Sequence, residues 1–531
     1  MTSILPPGVG QQAFDAALQA FADVVGDDGL LKSASALKEY SDPYAFAADD
    51  VFTPSAVLLP TSVDQVSAIL GIANQYSVPL WAVSQGRNLG YGGGAPRVRG
   101  SVVVSLRRMN RVLEVNEECA YAVVEPGVSF IDLYEHLRAG GHKLVVSVPD
   151  LGWGSVVGNA LEYGRGYTPL GDHAANHCGM EVVLPDGKLF RTGMGGLSRG
   201  NSWHVYRHAF GPSLDGLFMQ SNFGIVTRMG VWLMPTPEWY LSGSVSVKRE
   251  ADLAPLIDIV RKLLLDRVIE NYPVLANPLT VAACSSTRDR WYQGEGPVPE
   301  SVIEDICREM GIGRWNMRFA LYGSEAMVDA QFAAVTAALS RIPDVRIDGR
   351  RYKGDTPPDE IPPMDRSQIG IPSLDILAAV KWRGEAGGHM GFSPVSPLVG
   401  QEVRRQCELL RPIMNQHGFD YMGGILVSPR CTLHILEFIY DAADEGQVRE
   451  ARQGCKALLK AAAAAGYGEY RSHLEHMDDV ARMYDFNDGA TMRLNNLIKD
   501  ALDPNGILSP GKQGIWPRAM RPRQCTREAA S

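Results

Sequence analysis

Gly86-Arg87-Asn88-Leu89-Gly90-Tyr91-Gly92-Gly93-Gly94-Ala95-Pro96 sets a dense glycine run directly after Leu80 to Val83, a short apolar segment that reads as a strand. A dinucleotide fingerprint needs its glycines between a strand and a helix. Here Pro96 follows, and Ser101 to Leu106 is strand-like again, so a Rossmann turn is excluded. Glycines 90, 92, 93 and 94 can still turn several backbone N–H groups toward one anion, a nest suited to a pyrophosphate. An ordinary flexible turn fits the composition equally.

Upstream, Ser62 with Gln65 three residues on predicts a capped helix. Its Val66, Ile69, Leu70 and Ala73 have one-sided helical spacing. Downstream, Val112 to Val115 and Tyr121 to Val124 flank a polar turn and predict a hairpin, Ser129 opens a helix running toward Gly140-Gly141, and Pro185-Asp186-Gly187 marks a second hairpin. This half is therefore α+β. From Met234 to Gly466 helical segments such as Ala251 to Leu265 and Met327 to Ile342 alternate with proline-rich passages, which reads as an inserted second domain. An Ala-rich helix, Lys456 to Ala465, leads to the final segment, and the residues from Arg518 read as a loose tail.

A chain of 531 residues exceeds one ordinary core, and 45% hydrophobic with 21% charged residues is a globular composition. The net charge of −9 argues against nucleic acid as a partner. No secretory signal and no membrane span are expected. The eight cysteines are scattered, so free thiols in a reducing cytoplasm are the expectation. His173, His473 and His476 have no helical ligand spacing, and no metal is expected.

Three further stretches are candidates for chemistry. The small residues of Pro149 to Asn159 let backbone approach a ligand, although Asp150 reads equally as a turn cap. Gly387-Gly388-His389 sets an imidazole beside two glycines, and Tyr470-Arg471 follows Gly468-Glu469. Each is ordinary in isolation.

Together and in this order they resemble the vanillyl alcohol oxidase and p-cresol methylhydroxylase family of flavoproteins, within which the eugenol oxidases look nearest. The matching stretches are Gly86 to Gly93, Glu125 to Val128, Pro149 to Asn159, Gly166 to Pro169, Gly171 to His173, Gly224 to Thr227, Gly388-His389 with Phe392 to Pro394, Gly468 to Arg471 and Asp503 to Lys512. The resemblance implies an α+β fold in which both chain ends, 1–233 and 467–531, form the FAD-binding domain around an inserted α+β cap (substrate) domain, 234–466. It implies FAD held by Gly86, Arg87, Asn88, Leu89, Gly90, Gly92, Gly93, Pro149, Gly154, Ser155, Gly158, Asn159, Gly224, Val226 and Lys512, and joined covalently through its 8α-methyl to His389. Tyr91, Tyr470 and Arg471 would bind a phenolate, Asp150 would lie near the reacting carbon, and Tyr167 and Ser393 would line the cavity.

The implied activity is oxidation of a para-substituted phenol through a quinone methide, with O2 as acceptor. The cytochrome-coupled member attaches its flavin through tyrosine, and histidine stands at that place here. A homodimer is the implied assembly. Two departures matter. Arg165 stands where the family has an apolar residue, and Gly424 where it has a larger one, which predicts a roomier, more cationic pocket for a bulky or acidic substituent. Pairing of Arg165 with a carboxylate is the competing expectation.

Overall fold

Ser62 accepts from the Gln65 N–H at 3.3 Å and starts helix Val63–Tyr76, which buries Val66, Ile69, Leu70 and Ala73. Gln65 does not complete a box on Ser62. Its Oε1 accepts from the Thr61 N–H at 2.7 Å, and its Nε2 donates to the Val24 carbonyl at 2.9 Å, tying this helix to helix Gln11–Val25. The box forms instead at Ser129 and Asp132, which open helix Phe130–Ala139. The computed structural model describes residues 4–44 and 51–521, so Cys525 and most of the basic tail lie outside it. The start of that tail is ordered: Arg518–Met520 is a helical turn, and Arg521 Nη1 donates to Asp500 at 2.9 Å.

Three large sheets and a two-stranded ribbon, Leu144–Val145 with Met234–Pro235, organise the described residues. In the first, Ala56–Leu58, Val102–Ser105 and Leu80–Val83 run parallel, with Leu30–Leu31 antiparallel at the edge. The end of the chain returns to this sheet: the Leu80 N–H donates to Ile507 O at 2.7 Å, and the Ser509 N–H donates to Leu80 O at 2.8 Å. The second sheet is antiparallel and contains both expected hairpins, Val112–Asn116 with Tyr121–Val124 and His177–Val183 with Leu189–Arg191, joined through Ile225–Trp232. Gly187 supplies the positive φ, 83°, that the second turn needs.

The third sheet was not legible as such in the sequence. Eight antiparallel strands drawn from residues 239–441 supply the β part of the α+β cap that the resemblance implies, where the residues themselves point only to helical segments. One face buries Met317, Phe319, Ile425, Leu436, Phe438, Met390 and Phe392 against helices Leu253–Leu265, Gly400–Gln416 and Glu445–Ala464. Because side chains alternate across a strand, His389, Gly391, Ile435 and Glu437 fall on the other face. The helix expected from Lys456 begins at Glu445, where Asp444 Oδ1 accepts from the Gly446 and Gln447 N–H groups at 2.9 and 3.1 Å.

A buried ion pair locks the returning C-terminal segment. Lys499 Nζ lies 2.7 Å from Asp503 Oδ2 and donates to the carbonyls of Asn222 at 2.9 Å and Leu508 at 2.7 Å, while Asp503 accepts from the Ile507 and Leu508 N–H groups. Removing one partner strands the other charge in the interior. Asp503→Ala is therefore expected to cost about 3–5 kcal/mol, read as a lowered denaturation midpoint.

Candidate active site

A cavity of about 360 Å³ lies where the glycine loop, the 149–159 stretch, the Ser509 to Gln513 segment and the open face of the third sheet meet. Gly86, Arg87, Asn88, Leu89, Tyr91 and Gly93 line it from one side, with Pro149, Asp150, Gly154, Ser155, Gly158 and Asn159 opposite. Gly224, Val226, Arg165, Tyr167, His389, Ser393, Tyr470, Arg471 and Lys512 complete the wall as expected. Gly90, Gly92 and Gly424 are not lining residues.

The loop requires its glycines. Gly86, Gly90, Gly92 and Gly93 have φ of 62, 74, 100 and 57°. A Cβ at Gly90 would stand 2.4 Å from His389 Nδ1, and one at Gly92 2.3 Å from Leu474 Cγ. At these two positions close packing as well as the positive φ excludes a side chain. Asn88 Oδ1 accepts from the Gly93 N–H at 2.8 Å and closes the loop, and Ser155 caps the short helix Val156–Leu161 by accepting from the Gly158 N–H at 2.9 Å. Gly90→Ala adds backbone strain and a collision with the imidazole, so flavin content of the purified protein is expected to fall severalfold, read from the visible spectrum.

His389 is 3% exposed, and neither ring nitrogen has a hydrogen-bond partner in the described structure. Burial, with His473 nearby, pushes its pKa down to about 3, so the ring is neutral and a nitrogen lone pair is available. Glu437 stands diagonally across from it on the paired strand, with its carboxyl against Nε2. Burial and the neighbouring Asp150 raise Glu437 to about 8, which makes it a neutral acid at pH 7. A buried neutral imidazole whose Nδ1 has no partner, beside a glycine cradle in the same cavity, fits a covalently held flavin.

Arg471 forms a cationic pole. Its guanidinium carbon lies 4.5 Å from the Tyr91 ring centroid and 5.4 Å from that of Tyr470, and Nη2 donates to Tyr470 Oη at 3.3 Å. Burial opposes the charge, yet the Tyr470 and Tyr91 oxygens hold its pKa above the usual arginine value, while burial raises Tyr91 to about 12. The buried Nε has no partner. Glu469, which the sequence reading left without a role, fixes this turn: its carboxylate accepts from the Ser393 N–H at 2.9 and 2.8 Å, and burial raises its pKa to about 8 against the pull of the Ser393 N–H and Arg471.

Asp150 receives a hydrogen bond from the Tyr167 hydroxyl. Burial raises its pKa, and Tyr167 and Arg318 oppose the rise. Arg165 departs from the cationic role expected of it: its guanidinium pairs with Asp172, held beside it by the bridge between residues 165 and 172. Lys512 is likewise matched, at 2.6 Å from Glu162 Oε1. Gly424 sits one row beyond the wall, opposite Ile435. His173, His473 and His476 are engaged separately by Asn159, Asp42 and Asp479. No cluster of three metal-ligating side chains occurs among the described residues.

A family model described as FAD binding domain matches residues 54–193, and one described as FAD linked oxidases, C-terminal domain, matches 402–513. The chain is 36% identical over 519 residues to the 4-cresol dehydrogenase (hydroxylating) flavoprotein subunit of Pseudomonas putida, covering 97% of this chain and 98% of that protein. It is 29% identical over 553 residues to the 1'-carboxy-chondrochloren decarboxylase of Chondromyces crocatus, covering 96% and 99%. The solved 4-ethylphenol oxidase from Gulosibacter chungangensis, in its isoeugenol complex, superposes with a TM-score of 0.93 at 40% identity, covering 97% of this chain and 100% of that one.

Proposed function

Because the chain belongs to the vanillyl alcohol oxidase and p-cresol methylhydroxylase family of FAD-dependent oxidoreductases, we propose that it oxidises para-substituted phenols by removing a hydride from the benzylic carbon. The observation that carries this is a buried guanidinium over two tyrosine rings, in one cavity with Asp150. A neutral phenol gives up the hydride poorly, because the resulting cation has no electron source. A phenolate oxygen pushes charge through the ring and leaves a neutral quinone methide.

Ionising a phenol of pKa ~10 near pH 7 needs ~3 units, or ~4 kcal/mol, of preference for the anion. One unit charge at ~4 Å in an effective dielectric of ~20 supplies about that. Arg471 is that charge, and the Tyr91 and Tyr470 hydroxyls add donors to the same oxygen. FAD, when bound, supplies the hydride acceptor. Asp150 takes the proton of water adding to the quinone methide or, for a 4-hydroxybenzyl alcohol, the hydroxyl proton as the aldehyde forms. Tyr167 orients its carboxylate.

The flavin-binding part is taken as 1–233 with 467–531, and the cap as 234–466. His389 is the covalent anchor: acid-precipitated protein is expected to keep its yellow colour, and His389→Ala to release the flavin into the supernatant. Reoxidation by O2 with H2O2 release is inferred from that histidine linkage. A soluble cytoplasmic homodimer completes the reading, and no helix among the described residues is long and apolar enough to cross a membrane. The test is anaerobic: 4-alkylphenols, 4-allylphenols and 4-hydroxybenzyl alcohols are expected to bleach the flavin, and failure of all three classes overturns the proposal. Oxygen uptake on an electrode then separates an oxidase from a cytochrome-coupled dehydrogenase.

A further inference from the structure

A second guanidinium, within electrostatic reach of Asp150, is not used by the proposed chemistry. Arg318 lies on strand Trp315–Gly323, whose Met317, Phe319 and Leu321 enter the core on the opposite face. Arg318 shares a sheet face with the cavity wall without lining it: it is in register with Val274, Val274 with Leu426, and Leu426, two strands away, lines the cavity. The adjacent row runs Asn316, Ala276, Gly424 and Ile435. Ala276 and Gly424 keep that row low: a Cβ at Gly424 would meet only Ile435, at 3.4 Å. The row beside Arg318's own is thus low from Ile435, at the cavity, as far as Ala276.

The guanidinium is near enough for its charge to act on Asp150 and Tyr167, and on Cys284 just past helix Pro278–Ala283. Cys284 is exposed, so this end of the site communicates with solvent. Arg318 Nη1 donates to the Met364 carbonyl, and no carboxylate among the described residues pairs with it. Of the other cations that line the cavity beside Arg471, Arg165 and Lys512 are matched by Asp172 and Glu162, and Arg87 stands over the Trp153 ring at 5.9 Å.

We propose that Arg318 is the specificity-determining residue for the para substituent, and that the preferred substrates carry a carboxylate on the side chain beyond the benzylic carbon. This rests on the phenol reading above. An anionic side chain beside Asp150 is repelled unless a cation stands by it, and a planar guanidinium with open donors matches a carboxylate in two hydrogen bonds. The substrate then spans two cationic poles, with its phenolate oxygen at Arg471, its carboxylate at Arg318 and the reacting carbon between them at Asp150.

The experiment uses the flavin-loaded enzyme under anaerobic conditions and reads Kd from the concentration dependence of flavin bleaching by 3-(4-hydroxyphenyl)propanoate and by its primary amide. The wild-type protein is expected to bind the acid about tenfold or more tightly than the amide, the size of one added charge-assisted contact. Arg318→Met is expected to bring the two Kd values together, and Arg318→Lys to restore part of the difference. Equal Kd values in the wild-type protein overturn the proposal, whatever the folding of the variants. So does an Arg318→Met enzyme that keeps the acid preference but shows a displaced pH profile with both compounds, because Arg318 then serves only to hold Asp150 ionised. If 4-ethylphenol, the acid and the amide all fail to bleach the flavin, the phenol reading fails and this proposal with it.

Discussion

Arg471→Met is expected to slow phenol-dependent flavin reduction at pH 7 about a thousandfold, the factor that corresponds to ~3 units of lost phenol ionisation. The substitution keeps much of the side-chain volume against the Tyr91 and Tyr470 rings and removes the charge. The residual rate should climb about tenfold per pH unit toward the phenol's own pKa of ~10, because solvent hydroxide then does what the guanidinium no longer does. Stopped-flow reduction between pH 7 and 10 checks both points. A uniform loss with no pH slope would assign Arg471 to packing.

With a 4-hydroxybenzyl alcohol, whose hydroxyl proton Asp150 takes as the aldehyde forms, Asp150→Ala is expected to slow the same step about a hundredfold to ten-thousandfold, the usual range for removing a positioned base. Binding of the phenol should change little, because Arg471 and the tyrosines hold its oxygen. The contrast between rate and affinity identifies the carboxylate as a participant in the reaction. Equal losses in both would make it part of the binding wall. Tyr167→Phe removes only the hydroxyl donor to Asp150 and should fall between the two enzymes.

What the sequence disclosed was local. Ser62, Ser129 and Gly187 announce their helices and turn through short-range chemistry, and the structure places all three as expected. The candidate site was legible through residues whose type is unusual in context, such as His389 after two glycines and the glycine loop itself. The third sheet was hidden because helices cover one of its faces and the flavin-binding side the other, so its strands lack a clean alternation of polar and apolar residues. Glu437 was hidden with it: in Leu433-His434-Ile435-Leu436-Glu437-Phe438-Ile439 it is one acid in an apolar strand, and its position against His389 depends on pairing with residues nearly fifty positions earlier. Arg165 carried two expectations, and its pairing with Asp172 meets the competing one, which its type alone did not decide.

The bridge from Leu80 to Ile507 and Ser509 also sets an order of events during synthesis. The wall of the flavin cavity formed by Ser509 to Gln513 is the last part to leave the ribosome, so a nascent chain has its glycine loop and imidazole ready but no closed chamber. One short segment thus covers the edge strand at Leu80 and closes the chamber, so a truncation before Leu508 is expected to open both together.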